Sequence, residues 1–235
     1  MLSPATVGRV TQVALRRSTA AARGALRPQS WWNETLGPVA VRSGVVTLSP
    51  PRLRDAEQWC AARLANQQRL EMAFPAETSD WAAGQTPLVW TQRCIELRAA
   101  ARRGLAYPYV IRLDGVVAGE YGIDAVDPET GTGEQSGWVA AAARGSAVAK
   151  AATLLGVLRA FTGPDPLRRI VGPNAVDSPA PGILLKNIGY QREIVLTGLR
   201  DTSAGRKDHE VWVVHNNAAV RQQLRDQLKA LNLPS

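Results

Sequence analysis

Three β-rich runs followed by one long apolar helix limit this 235-residue chain to few folds. Tyr107–Leu113 and residues 116–123 flank an Asp-Gly pair, which is typical of the two-residue turn of a β-hairpin. Residues 134–140 predict the next strand, and residues 146–161 predict a helix, because their apolar side chains recur at helical spacing. A short strand is expected at residues 168–171. Antiparallel strands that lead into a single strand–helix–strand crossover predict one mixed sheet.

Weaker patterns, bounded by Pro and Gly, predict further elements on both sides of this unit. We expect a strand over 39–48 interrupted at Gly44, a helix capped by Asp55, helices over 88–103 and 181–187, strands over 194–199 and 210–214, and a C-terminal helix over Ala218–Leu231. The predicted fold is α/β: a single mixed, mostly antiparallel sheet with a central β-α-β unit, flanked by helices.

The same patterns divide the chain into three parts. We expect a basic N-terminal extension at residues 1–38, one domain at residues 39–216 and a C-terminal helix at residues 217–235.

Positive charge is concentrated near the start of the sequence. The chain carries 28 Lys and Arg against 20 Asp and Glu, a formal net charge of +8. Residues 1–33 contain no acidic residue and hold five arginines, Arg9, Arg16, Arg17, Arg23 and Arg27. Three interpretations remain open for this segment: a solvated tail, a basic arm that binds a ribosome or RNA through these arginines, and an organelle transit peptide.

Composition argues against several classes of protein. No run approaches the roughly 18 uninterrupted apolar residues of a membrane span. Two cysteines, Cys60 and Cys94, are too few for a disulfide scaffold or a Cys-rich zinc site, and two histidines argue against another metal centre. We therefore predict no metal. Because free thiols fit a reducing compartment, we expect a cytoplasmic protein.

The turn before the long helix is the segment best suited to carry chemistry. A strand ends near Val139, four small residues follow, and Arg144, Gly145 and Ser146 open the helix. The first N–H groups of a helix have no intrahelical partner and lie at the positive end of its dipole, so such a turn can hold a pyrophosphate. Small side chains allow phosphates to approach the main chain. A turn made small only for packing is the alternative.

Five short motifs in order resemble the GCN5-related N-acetyltransferase family, in particular its ribosomal-protein acetyltransferase branch typified by RimJ and RimL. The phosphate-binding signature of that family resembles residues 144–149, which run Arg-Gly-Ser-Ala-Val-Ala. The other four are Ser-Gly-Trp-Val at 136–139, Asn-Ile-Gly-Tyr-Gln-Arg-Glu at 187–193, Lys-Asp-His-Glu-Val at 207–211 and Pro-Arg-Leu-Arg-Asp-Ala at 51–56. Together they cover residues 45–215.

The resemblance implies that acetyl-CoA, as cosubstrate, lies between the strands at 134–140 and 168–171. The residues it implies for binding acetyl-CoA are Trp138, Val139, Ala140, Arg144, Gly145, Ser146, Ala147, Val148, Ala149 and Ser178. A backbone N–H near Val139 or Ala140 is expected to polarise the thioester carbonyl. Ser178 stands where the family has an asparagine, and a hydroxyl replaces only one of the amide's hydrogen bonds.

The resemblance also implies direct attack by an amine on the thioester, with no covalent enzyme intermediate. Glu134 and Glu120, on strands that line the expected substrate side, are the predicted general bases, with Glu134 ranked first. The expected acceptor is a protein N-terminal α-amino group. Two alternatives stay open: a small-molecule amine or lysine as acceptor, and a catalytically silent fold that binds RNA or a ribosome.

Overall fold

The computed structural model describes residues 34–73, 80–145, 147–202 and 205–231. Its strands are β1 (Leu36–Val41), β2 (Gly44–Ser49), β3 (Tyr107–Leu113), β4 (Val116–Asp127), β5 (Thr132–Val139), β6 (Arg169–Ala175), β7 (Gln191–Thr202) and β8 (Gly205–His215). Its α-helices are α1 (Ala56–Leu64), α2 (Gln67–Ala73), α3 (Pro87–Arg102), α4 (Val148–Thr162), α5 (Pro179–Ile188) and α6 (Ala218–Leu231). The five arginines of the predicted basic extension lie outside the described residues.

The strands form one sheet in the order β1-β2-β3-β4-β5-β6-β8-β7. The pair β5 and β6 is parallel and is connected by α4, whereas the other neighbouring strands of the described sheet are antiparallel. The prediction of a mixed, mostly antiparallel sheet around a β-α-β unit is therefore confirmed.

The prediction of one interrupted strand over 39–48 is wrong. The chain reverses before Gly44, and the two halves pair with each other as β1 and β2, with Val39 opposite Val46. Gly44 has a φ of +139°, which side chains rarely adopt, and the neighbouring Val45 N–H donates to Asp114 Oδ1 at 2.8 Å. The glycine that was expected to interrupt one strand instead begins the second strand of a hairpin, directly after the turn at residues 42 and 43.

The sheet separates two apolar cores. The larger contains one side of α4 packed on strand residues such as Tyr121 and Ile123. The smaller contains residues of α1 and α3 packed on Val110, Val117 and Trp138. Successive strand residues point to opposite faces, so β4 and β5 contribute to both cores at once.

The C-terminal helix packs on the domain. Leu224 of α6 is fully buried in the larger core, and Leu228 and Leu231 pack against it. None of the helices among the described residues combines the length and apolar character that crossing a membrane requires.

Gly156 tests how closely α4 lies on the sheet. A methyl group at this position would overlap the ring of Tyr121, which is buried. We expect G156A to lower the free energy of unfolding by about 1–3 kcal/mol, because overpacking outweighs the gain in helix propensity. G84A is the control, since nothing lies within 4 Å of the added Cβ, and it should change stability by less than about 1 kcal/mol. Urea unfolding of both variants measures this, and equal values would contradict the packing.

Candidate functional site

A gap opens in the sheet where β5 leaves β6. The two strands share three residue pairs, the last of which joins Glu134 to Val171. Beyond it β5 continues beside β4 as far as Val139, while β6 continues beside β8 as far as Ala175. The two strands therefore diverge, and from residue 135 onward β5 pairs with no described strand on this side.

The hydrogen-bond alternation of β5 shows which backbone groups face the gap. The Ala140 N–H donates to the Ala118 carbonyl at 2.8 Å, so it belongs to the ladder with β4. In an antiparallel pair the hydrogen-bonding residues alternate, so the N–H and C=O of Val139 point away from β4 and into the gap. Of the two backbone donors expected for the thioester carbonyl, Val139 is the one that the pairing leaves facing the gap.

The turn between β5 and α4 has the features of an anion site. Gly145 and Ala147 have φ values of +72° and +64°, and α4 begins at Val148. Its first turn contains no acidic side chain. Arg144 and Gly145 are exposed, whereas Val148 is fully buried and offers only its backbone. Ser146 lies outside the described residues.

Residues at the start of α2 hold the end of β5. The Ala141 N–H donates to Asn66 Oδ1 at 2.7 Å, and the Asn66 amide donates to the Ala62 carbonyl at 2.7 Å. The Arg69 guanidinium donates to the Val139 carbonyl at 3.3 Å. Burial lowers the pKa of Arg69, and the nearby positive charge of Arg144 lowers it further. Two arginines thus come together at the gap, where an anion would relieve their repulsion.

Glu120 lies in a buried cluster of charges. Its side chain is 10% exposed, and it contacts Arg93 at 3.2 Å, Arg63 at 4.0 Å and the Trp138 indole N–H at 2.7 Å. Burial raises the pKa of Glu120, but the two arginines and the indole outweigh burial and hold this pKa below its usual value. The structure therefore places this predicted base in the smaller core, with both carboxylate oxygens engaged.

Aromatic rings surround the arginine of this cluster. The Arg63 guanidinium lies over the rings of Trp81 at 4.7 Å, Trp59 at 5.2 Å and Trp138 at 5.8 Å, and it donates to Gln85 at 2.5 Å. Cation–π contacts of this kind help to compensate a desolvated charge. The indole of Trp138, a residue expected to touch the cosubstrate, is thus held in the smaller core, beneath the strand that borders the gap.

Glu134 lies at the vertex of the gap. Its side chain is 35% exposed and forms an ion pair with Arg200 of β7. Across the ladder lies Asp124 of β4, which accepts a hydrogen bond from the Ser136 hydroxyl at 2.5 Å. Glu120, Asp124, Glu134 and Ser136 share one face of the sheet, because they alternate along β4 and β5 in register.

The remaining predicted residues take various positions. Ala149 is half-buried in the first turn of α4, and Ser178 is exposed immediately before α5.

Sequence reasoning missed five residues of the site: Asn66, Arg69, Arg93, Asp124 and Ser136. Asn66 and Arg69 contact positions 70 or more residues away. No local periodicity marks such contacts, and a carboxylate-rich strand face was the one available signal for Asp124.

Several solved structures are similar to this chain. The structure of RimJ from Mycobacterium smegmatis in complex with a CoA disulfide is similar, with a TM-score of 0.77 and 31% sequence identity over 83% of this chain and 95% of that one. A RimL ribosomal L7/L12 α-N-protein acetyltransferase in complex with coenzyme A gives a TM-score of 0.69 at 16% identity, over 79% of this chain and 99% of that one.

A ribosomal-protein-S5-alanine acetyltransferase from Vibrio fischeri gives a TM-score of 0.66 at 17% identity, over 74% of this chain and 94% of that one. At these lower identities the similarity shows the fold. No protein-family model and no curated protein sequence matches this chain.

Removal of the charge of Glu120 should destabilise the fold. E120Q leaves the buried Arg63 without its carboxylate, whereas water can solvate Arg93, whose side chain is 47% exposed, so the cost should stay below the roughly 3–5 kcal/mol of a fully buried pair. The pKa of Glu120 is lowered by folding, so its stabilisation is present above the unfolded pKa, about 4.3, and is lost as the pH falls through the folded pKa. Urea unfolding from pH 7 to pH 3 should therefore show a shallower acid loss in E120Q.

The exposed Asp201 provides the comparison for E120Q. Asp201 pairs with Arg206 at 3.4 Å on the surface, and D201N should change stability by less than about 1 kcal/mol. If E120Q cost no more than D201N, the cluster would not stabilise the fold.

Ala147 adopts a left-handed conformation that favours glycine. A non-glycine residue in this conformation destabilises the folded state by roughly 1–2 kcal/mol. Glycine avoids this strain, but its greater conformational entropy in the unfolded chain cancels about half of the gain. We expect A147G to raise the free energy of unfolding by about 0.5–1 kcal/mol. A149G, two residues on and inside α4, should lower it by about 1 kcal/mol. Thermal unfolding of both variants distinguishes them, and two equal losses would refute the left-handed turn.

Proposed function

We propose, starting from the fact that this chain belongs to the GCN5-related N-acetyltransferase family, that it acetylates the α-amino group of a protein N-terminus. The chain is an N-acetyltransferase, and acetyl-CoA is its cosubstrate. The observation that carries the proposal is the gap between β5 and β6, which ends at the N-terminus of α4. The unpaired edge of β5 and the N-terminus of α4 suit an extended ligand with a reactive carbonyl at one end and a pyrophosphate at the other.

Residues around the gap divide the work of binding acetyl-CoA. We assign the pyrophosphate to the turn from Arg144 to Ala149, where helix N–H groups and a guanidinium supply positive charge. Arg69 adds a second guanidinium from α2. The Val139 N–H is assigned to the thioester oxygen, where it stabilises the negative charge that develops during attack. Ser178, before α5, is left with the single hydrogen bond of a hydroxyl.

An α-amino group needs little activation before it can attack the thioester. Its pKa is about 8, so about a tenth of it is neutral at pH 7, and the enzyme need only accept a proton. The nitrogen lone pair forms the new amide bond, the carbon–sulfur bond breaks, and CoA leaves as the thiol or thiolate. Glu134 remains a candidate acceptor of the proton, beside the Arg200 guanidinium that pairs with it. Resemblance of the sequence motifs to the ribosomal-protein acetyltransferase branch favours a protein N-terminus over a small amine or lysine.

The N-terminal arginines carry a second proposal. Arg9, Arg16, Arg17, Arg23 and Arg27 would contact a ribosome or RNA through phosphates, and a steep fall of RNA affinity with salt is the test. We also propose a cytoplasmic location, supported by the buried free thiols of Cys60 and Cys94.

Calorimetric titration with acetyl-CoA tests the site. We expect binding by the full-length protein, and R144E should weaken it at least tenfold, because one charge-assisted hydrogen bond to phosphate contributes about 1.5–3 kcal/mol. R42E, which makes the same charge change in the exposed β1–β2 turn, should bind as the unmodified protein does. Equal affinities for R144E and R42E would remove the phosphate site from this turn.

Acceptor peptides then test the reaction. A peptide with a free N-terminus should be acetylated, and the same peptide with a blocked N-terminus and an internal lysine should not be. Reversal of this preference, measured by mass spectrometry, would assign the enzyme to lysine or to small amines.

A further inference from the structure

Three carboxylates lie on one face of β4 and β5, Asp124 and Glu134 at the vertex of the gap and Glu120 further along β4, and they differ in their partners. Glu120 is bound by Arg93 and Arg63 in the smaller core, and Glu134 is paired with Arg200. Asp124 forms no ion pair with any residue in the described part of the chain, and its close partner is a neutral hydroxyl. A carboxylate without a bound cation is the better proton acceptor of the three.

The Ser136 hydroxyl extends the reach of Asp124 toward the gap. Its Oγ–H donates to Asp124 Oδ2 at 2.5 Å, and both side chains are half-buried, so the site is accessible. Ser136 follows the last β5–β6 pair by two residues, which places it alongside the open edge. It also precedes Val139 by three residues on the same strand.

Gly122 lies beside this pair. It lies opposite Ser136 in the ladder, and a Cβ built on it would stand 3.2 Å from Ser136 Oγ and 3.3 Å from Asp124 Oδ2. Any side chain at this position would therefore cover both oxygens. The glycine therefore leaves both oxygens uncovered by a neighbouring side chain.

We infer that the Ser136–Asp124 pair is the proton acceptor of the transfer reaction, an inference that rests on the function proposed above. As the amine nitrogen forms its bond to the acetyl carbon, its proton passes through a bridging water to Ser136 Oγ, and the hydroxyl proton of Ser136 passes to Asp124 Oδ2, because three residues of strand separate Ser136 from the Val139 N–H. The electron pair of the broken carbon–sulfur bond leaves on the CoA sulfur. The proton on Asp124 then returns to the thiolate or to solvent, so that charges and atoms balance.

The electrostatic surroundings suit this role. Burial raises the pKa of Asp124, the Ser136 hydrogen bond and Arg93 of α3 lower it, and Glu134 of β5 and Glu120 of β4 raise it, with a raised pKa as the result. A base is most effective when its pKa approaches the working pH, so a raised pKa favours proton transfer. Activity should rise with pH as Asp124 loses its proton.

Steady-state kinetics with acetyl-CoA and an N-terminal peptide test the inference. D124N should lower kcat by about 10²–10⁴-fold and abolish the acidic limb of the pH profile, while leaving the affinity for acetyl-CoA unchanged. S136A should lower kcat by a smaller factor, because water can take the place of a hydroxyl. G122A should raise KM for the peptide by tenfold or more, at unchanged affinity for acetyl-CoA. E129Q, an exposed carboxylate in the β4–β5 turn, is the control and should stay within twofold.

The outcomes separate this inference from the proposed function. An unmodified protein that binds no acetyl-CoA or acetylates no peptide would overturn both. An active protein in which D124N keeps the full rate and the same pH profile would overturn this inference alone, as would loss of the acidic limb in E134Q with its retention in D124N. Thermal unfolding of D124N should show no loss of stability, because the substitution removes a partly buried charge at constant shape.

Discussion

The backbone hydrogen bonds of β5 determine the rest of this structure. On one side the strand pairs with β4 from Thr132 to Val139, and on the other it pairs with β6 for three residues only. Backbone N–H and C=O groups in a protein interior need hydrogen-bond partners. A strand that leaves its neighbour has unpaired backbone groups, which a ligand can bind. In this protein the unpaired backbone groups of β5 lie beside the N-terminus of α4, whose first N–H groups also have no intrahelical partner. The proposed binding site is a break in the pairing of β5 with β6.

A strand with one open edge has to be held by other means, and two sets of contacts do this. At the start of α2, Asn66 and Arg69 form hydrogen bonds to the backbone at the end of β5. From one face, the Trp138 indole is fastened to Glu120, which is itself held by arginines. Trp138 directly precedes Val139 on β5. The charged cluster that holds the Trp138 indole therefore also restrains the position of the Val139 N–H. Catalytic geometry and core packing share the same strand.

The sequence predicted the sheet and its crossover, because each has a local signature: alternation in strands and helical spacing in α4. Small residues between them led to the proposal that the turn before α4 binds phosphate. The sequence did not predict that β1 and β2 form a hairpin, since a glycine between two β-rich runs is equally compatible with a broken strand. It also could not separate Glu120 from Asp124. Both are carboxylates on one strand face, and their difference arises from α1 and α3, which pack there from distant parts of the chain.

Arg93 couples these two carboxylates. It forms an ion pair with Glu120 at 3.2 Å and its charge also lowers the pKa of Asp124. Any substitution of Arg93 would therefore act on fold stability and on the acid–base properties of the site together. A natural substitution of Arg93 that changes the stability of the smaller core should also change the pKa of Asp124. We therefore expect core stability and the pH dependence of activity to change together during evolution.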